Sequence, residues 1–101
     1  MVRHVILWTL KEEFSIEEKE SIKANIKREL EALNGKIPGL IDIKIYTNGL
    51  ASSKNADLML DSSFENEEAL KSYAIHPDHV AAADGFVRPY TATRSCLDFE
   101  I

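Results

Sequence analysis

Tyr73, His76 and His79 recur at every third position of Leu70-Lys71-Ser72-Tyr73-Ala74-Ile75-His76-Pro77-Asp78-His79-Val80, and no other stretch crowds phenol and imidazole groups together. Imidazole exchanges protons near neutral pH, and a phenol donates a hydrogen bond to an oxygen that gains negative charge. Pro77 sits among them. A proline disfavours helical backbone at the residue before it and suits the first turn of a new helix. The segment is therefore predicted to end one helix near Ile75 and to start a second, short one at Pro77. His79 then falls in the first turn of the second helix, where the positive end of the dipole disfavours imidazolium. A neutral imidazole facing a phenol across a helix break is an acid–base pair by type. The same residues also make an ordinary exit from one helix into the next.

The other chemically capable residues are fewer. His4 shares one face of the first strand with Ile6 and Trp8. A lone imidazole on an apolar face is more often a hydrogen-bonded core residue, although Ile6 and Trp8 can equally wall a pocket. His76 and His79 could be joined by Asp78 or Asp84 into a metal site, but Pro77 spoils the helical spacing such a pair would use. No cysteine or third histidine lies nearby in sequence, so no metal site and no cofactor are expected. Asp78 is explained more simply as an anion in a first helical turn. Cys96 has no base next to it in sequence, which leaves a nucleophilic role unsupported.

Composition bounds the partners. The 101 residues suit one domain, 1–101, with 45% hydrophobic and 29% charged residues, the balance of a soluble globular chain. A net charge of −5 without a run of Lys or Arg argues against nucleic acid or an anionic membrane as partner. Cys96 is the single cysteine, so no intrachain disulfide forms and a reducing compartment is expected. No apolar run approaches the ~20 residues of a membrane helix. Val2 to Leu10 is too short for a signal peptide and runs straight into Lys11-Glu12-Glu13, so a cytoplasmic location is expected.

The elements that must position these residues follow from periodicity. Val2 to Leu10 reads as a strand with His4, Ile6, Trp8 and Leu10 on one face and Arg3, Val5, Leu7 and Thr9 on the other. Both faces are largely apolar, as in a central strand covered on both sides. Ser15 and Glu18 form a capping box, and the helix is predicted to run to about Asn34 with Gly35 as its left-handed stop. Ile22, Ile26, Leu30 and Leu33 make its apolar stripe. After the turn Ile37-Pro38-Gly39, a strand is predicted over Ile41 to Thr47, with Ile41, Ile43 and Ile45 on one side. A polar connection from Asn48 to Asn55, a strand over Ala56 to Ser62 with Leu58 and Leu60 inward, and a helix over Glu65 to Ile75 come next. That helix is predicted to bury Ala69, Leu70, Tyr73 and Ala74. The short helix from Pro77 to about Gly85 precedes a last strand around Arg94 to Ile101. The order βαββαβ is an α+β, ferredoxin-like arrangement with the helices on one face of an antiparallel sheet. Those helices cover one face of the first strand only. The other face needs a partner, most economically a second copy in a homodimer.

Four segments together resemble the stress-responsive A/B barrel (Dabb) family: His4-Val5-Ile6, Ile37-Pro38-Gly39, Ser62-Ser63-Phe64 and, most distinctively, Leu70 to Val80. The resemblance spans essentially the whole chain. It implies a ferredoxin-like domain whose sheet pairs with that of a second copy into a dimeric α/β barrel. Within the family, some plant members look like stress-protective assemblies, whereas the olivetolic acid cyclase branch closes a poly-β-ketone by aldol condensation without metal or cofactor. The tyrosine–histidine pair of that branch falls on Tyr73 and His79, and its pocket histidine on His4. The chain departs from the branch at Ile22, Lys23 and Ile26, where the cyclase has aromatic residues on its first helix.

Two function classes follow. In the first, the barrel binds or converts a small carbonyl or phenolic compound, with His79 as base, Tyr73 as donor to an enolate and His4 as orienter. Ile6, Trp8, Ile22, Ile26, Leu60 and His76 would then contact the small-molecule ligand. In the second, the chain is a non-catalytic, oligomeric stress-responsive protein and the same residues only build the fold. A cavity between His4, Trp8, Tyr73 and His79 favours the first class; a filled core there favours the second.

Overall fold

A computed structural model describes residues 1–53 and 55–101; Lys54, in the polar connection expected between two strands, lies outside the described residues. The elements are β1 (Val2–Leu10), α1 (Ile16–Glu31), β2 (Leu40–Tyr46), β3 (Leu58–Phe64), α2 (Glu67–Ile75), α3 (Pro77–Ala82), a π-helical turn (Ala83–Val87) and β4 (Thr91–Glu100). The four strands form one sheet in the order β2-β3-β1-β4, each neighbouring pair antiparallel. With helices on one face of that sheet, this is the ferredoxin-like α+β fold. No helix of the described residues is long and apolar enough to cross a membrane.

β1 is central, as its two apolar faces require. His4, Ile6, Trp8 and Leu10 are buried towards the helices, where Ile22, Ile26 and Leu30 of α1 join Ile43, Ile45, Leu58, Leu60 and Phe64 in one core. α1 starts on the predicted capping box: the Glu18 N–H donates to Ser15 Oγ at 3.1 Å and the Ser15 N–H to Glu18 Oε1 at 2.9 Å. It ends at Glu31, earlier than the predicted Asn34. Asn34 instead bridges to β2, its Nδ2 donating to the Ile43 carbonyl and its Oδ1 accepting from the Ile43 N–H, both at 2.9 Å. Glu31 accepts from the Ile45 N–H and Lys27 donates to the Ile45 carbonyl, also at 2.9 Å. Side chains at the end of α1 and just beyond it thus satisfy the outward backbone groups of Ile43 and Ile45, which would otherwise be open to pairing with another chain.

Several predicted boundaries move for identifiable reasons. Ile41 is exposed rather than facing inward with Ile43 and Ile45, because the β2–β3 register shifts between Leu40 and Asp42 and turns Ile41 outward. β3 begins at Leu58, not Ala56, since Asp57 is used at the strand's entrance: its N–H donates to the Trp8 carbonyl at 2.8 Å and its carboxylate accepts from the Leu10 N–H at 2.7 Å. α2 begins at Glu67, not Glu65, with Asn66 as N-cap accepting from the Ala69 N–H. Of its predicted buried face only Tyr73 is fully buried. Leu70 and Ala74 border a cavity instead. Gly39 holds a left-handed backbone, φ 83°, and a Cβ there would stand 2.4 Å from Ala69 Cβ, so this glycine lets α2 seat against the start of β2.

β4 is covered by no helix. Arg94, Cys96, Asp98 and Glu100 point to the helix side without a helix over them, and Leu97 and Phe99 point to the bare side. Leu97 is 63% and Leu7 43% exposed there. Val5, Leu7, Leu97 and Phe99 thus gather on the helix-free face of β1 and β4.

Candidate functional site

A cavity of about 820 Å³ opens beside the uncovered β4. Its floor is the helix-facing side of β1 and β3, including His4, Ile6, Trp8 and Leu60. Its roof is Leu70, Tyr73 and Ala74 of α2 with His79 of α3, and Arg88, Arg94, Cys96 and Asp98 stand at its mouth. Tyr73 and His79 from one segment of the sequence and His4 from another all line this one space together with Ile6, Trp8 and Leu60.

The helix break works as the proline predicts. α2 stops at Ile75, His76 adopts extended backbone (φ −64°, ψ 133°), and Pro77 occupies the first turn of α3. That turn swings His79 back over Tyr73, with ring centroids 4.2 Å apart. Tyr73 is wedged between His79 and Phe64, the latter ring 5.0 Å away, and meets the His4 ring edge-on at 6.5 Å. It is only 2% exposed, and its hydroxyl has no hydrogen-bond partner among the described residues. A buried hydroxyl left unpaired costs free energy, and this one lies beside the cavity. Burial pushes the Tyr73 phenol far above its ordinary range, which makes it a donor and not a base.

His79 is tuned the other way. Its Nδ1–H donates to the Ala74 carbonyl at 3.2 Å; a carbonyl only accepts, so the proton sits on Nδ1 and the lone pair on Nε2. Burial lowers its pKa below the ordinary value, and the positive charges of Arg88 and Arg94 push the same way against the bond to Ala74. The expected neutral imidazole thus results mainly from burial rather than from the end of a short helix. His4 is buried, pairs with Ser62 and Asp98 across its two neighbouring strands, and hydrogen-bonds Asp98 through Nδ1.

Three expected ligand contacts are not brought to the cavity. Ile22 and Ile26 pack in the core, because α1 lies over β2 and the π-helical turn while the cavity opens over β1 and β4. His76 turns its Nδ1 to accept from the Asp78 N–H at 3.1 Å, capping α3. His76 and His79 therefore face different partners. The side chains of metal-ligating type that the fold does gather are His4, Cys96 and Asp98, whose donor atoms lie within 4.8 Å of one another. Cys96, without a base beside it in sequence, is 3.5 Å from His4 Nδ1. The parity of Arg94, Cys96, Asp98 and Glu100 was readable from the sequence; their meeting with His4 depends on the β1–β4 register, which was not.

Solved structures share this fold over nearly its whole length. A dimeric protein of unknown function with a ferredoxin-like fold from Bacteroides fragilis superimposes with a TM-score of 0.91 at 32% identity, covering 99% of this chain and 95% of the other. A Dabb family protein from Mesorhizobium loti matches at TM-score 0.74 and 20% identity over 99% and 95% of the two chains. The hydroxynitrile lyase of Passiflora edulis matches at TM-score 0.74 and 18% identity over 99% and 92%. No curated protein matches the sequence. Residues 2–101 match the stress responsive A/B barrel domain, and the chain belongs to that family.

Proposed function

We propose that this chain forms a homodimeric α/β barrel that binds and converts a small, partly apolar carbonyl or phenolic compound by acid–base chemistry without a cofactor. The observation on which the reading rests is the buried, unpartnered Tyr73 hydroxyl beside a neutral His79 in one open cavity. His79 Nε2 takes a proton from carbon next to the carbonyl, and Tyr73 donates to the oxygen as enolate charge develops. His4, held by Asp98, orients the substrate against Ile6, Trp8 and Leu60. That a hydroxynitrile lyase shares the fold supports a reading in which this fold carries an enzyme of small molecules. Dimeric neighbours and the bare apolar face over Leu7 and Leu97 support the homodimer.

The test is α-carbon deuterium exchange, followed by NMR, across small aryl ketones, β-diketones and phenolic ketones. Tyr73→Phe and His79→Ala should each lower the rate by ~10²-fold or more with the fold retained. A folded wild-type protein that exchanges and binds none of them would return the chain to the non-catalytic class.

A further inference from the structure

Cys96 joins His4 and Asp98 in one cluster, of which the acid–base reading uses only the His4–Asp98 bond. His4 and Asp98 face each other across the β1–β4 pairing, and Cys96 stands two residues along β4 on the same side. Cys96 Sγ is 3.5 Å from His4 Nδ1 and 3.5 Å from Asp98 Oδ1, and Asp98 itself bonds Nδ1.

Thiol, imidazole and carboxylate suggest a nucleophilic relay, but the connectivity excludes one. A relay needs the thiol at one ring nitrogen and the carboxylate at the other, so that the carboxylate steadies the imidazolium formed when the thiol gives up its proton. Here both groups meet the same nitrogen. Three different donors around one point are instead the layout of a coordination site. Zinc bonds of ~2.3 Å to sulfur and ~2.0–2.1 Å to nitrogen imply a sulfur–nitrogen edge of ~3.5 Å in a tetrahedron. The observed edge is 3.5 Å. The carboxylate lies closer to Nδ1 than two ligands of one ion would, because a hydrogen bond joins them; Asp98 is 49% exposed and has room to rotate outward. A thiolate and a carboxylate offset a divalent charge, and Arg94 and Glu100, flanking the cluster on β4, oppose each other. All three side chains line the cavity, so the fourth position faces open space.

We propose that His4, Cys96 and Asp98 form a three-ligand site for a borderline divalent cation of the zinc type, open to the cavity on its fourth side. Coordination releases the thiol proton to solvent and shifts the His4 Nδ1 proton, which bonds Asp98, to Nε2, so that the Nδ1 lone pair meets the metal in place of that hydrogen bond. The site shares His4 with the acid–base machinery but is established by metal binding alone.

Chelator-stripped, reduced protein titrated with Co²⁺ provides the test. The expected result is one cobalt per chain, with a near-ultraviolet thiolate-to-cobalt charge-transfer band and the visible absorption of four-coordinate cobalt, both displaced by Zn²⁺. Cys96→Ser should abolish the charge-transfer band. Asp98→Asn should weaken binding by more than the ~10–100-fold typical of losing a group that only orients a ligand. Both positions are on the exposed β4, so both variants are expected to fold, with circular dichroism as the check. Tyr73→Phe should leave the cobalt spectrum unchanged while lowering turnover, which separates this site from the acid–base pair. Folded wild-type protein that shows no charge-transfer band, or a band that survives Cys96→Ser, overturns the proposal.

Discussion

Burial acts in opposite directions on Tyr73 and His79, the two partners of the proposed acid–base pair. It keeps Tyr73 protonated well beyond its ordinary range, and it keeps His79 deprotonated below an ordinary value of 6.5. Each group is thereby held at neutral pH in the form that the proposed acid–base chemistry needs. The rate of α-proton exchange should accordingly fall only on the acid side, with an apparent pKa below 6.5. It should show no alkaline limb from Tyr73 up to about pH 10, the phenol's ordinary value. A pH–rate profile whose acid limb lies at or above 6.5 would count against His79 as the base. Stability follows the same sign. The unfolded chain binds a proton at His79 more readily than the folded one, so the contribution is complete above the unfolded value of 6.5 and is lost as pH falls below it.

The seating of α2 decides where Tyr73 and the helix break come to rest, and Gly39 is the contact that permits it. Gly39 and Gly35 both have left-handed backbone, φ 83° and 79°, but only Gly39 has a neighbour in the way of a Cβ. Gly35→Ala should therefore cost only the left-handed penalty of about 1–2 kcal/mol. Gly39→Ala adds a Cβ 2.4 Å from Ala69 Cβ and should cost a further ~1–3 kcal/mol as α2 is pushed away. Denaturant midpoints of the two variants measure the difference. Equal midpoints would mean that α2 moves aside freely, and ligand binding in Gly39→Ala would then report whether the cavity tolerates the shift.

The whole molecule presents one face that its own helices never reach. Val5, Leu7, Leu97 and Phe99 share it, and burying a side chain of this kind is worth ~1.5–3 kcal/mol. Arg3 and Asp61, on the same face, form an ion pair at 3.4 Å, with neither Arg3 Nε nor Asp61 Oδ1 making a hydrogen bond among the described residues. Wild-type protein should sediment as a dimer at micromolar concentration. Leu7→Glu, placing a charge in the middle of the apolar surface, should produce an unstable or aggregating monomer. A well-folded monomeric wild type in the same experiment would refute a dimer built on this face.

Local physics sufficed for much of this protein. The capping box at Ser15, the alternation of β1, the helix break at Pro77 and the βαββαβ order each depend on neighbours within a few residues, and the ferredoxin-like fold follows from them. Tyr73, His79 and His4 were legible for the same reason: two flank one proline, and the third lies on a strand whose parity is unambiguous. Non-local pairing decided the rest. The irregular register at Leu40–Asp42 turned Ile41 outward, and the position of α1 over β2 kept Ile22 and Ile26 in the core. The β1–β4 register set Asp98 opposite His4 with Cys96 beside it, where a slip of one residue would have sent both to the other face. A sequence states which residues share a face of their own strand. Which strand lies alongside, and at what offset, is settled only when the sheet has formed.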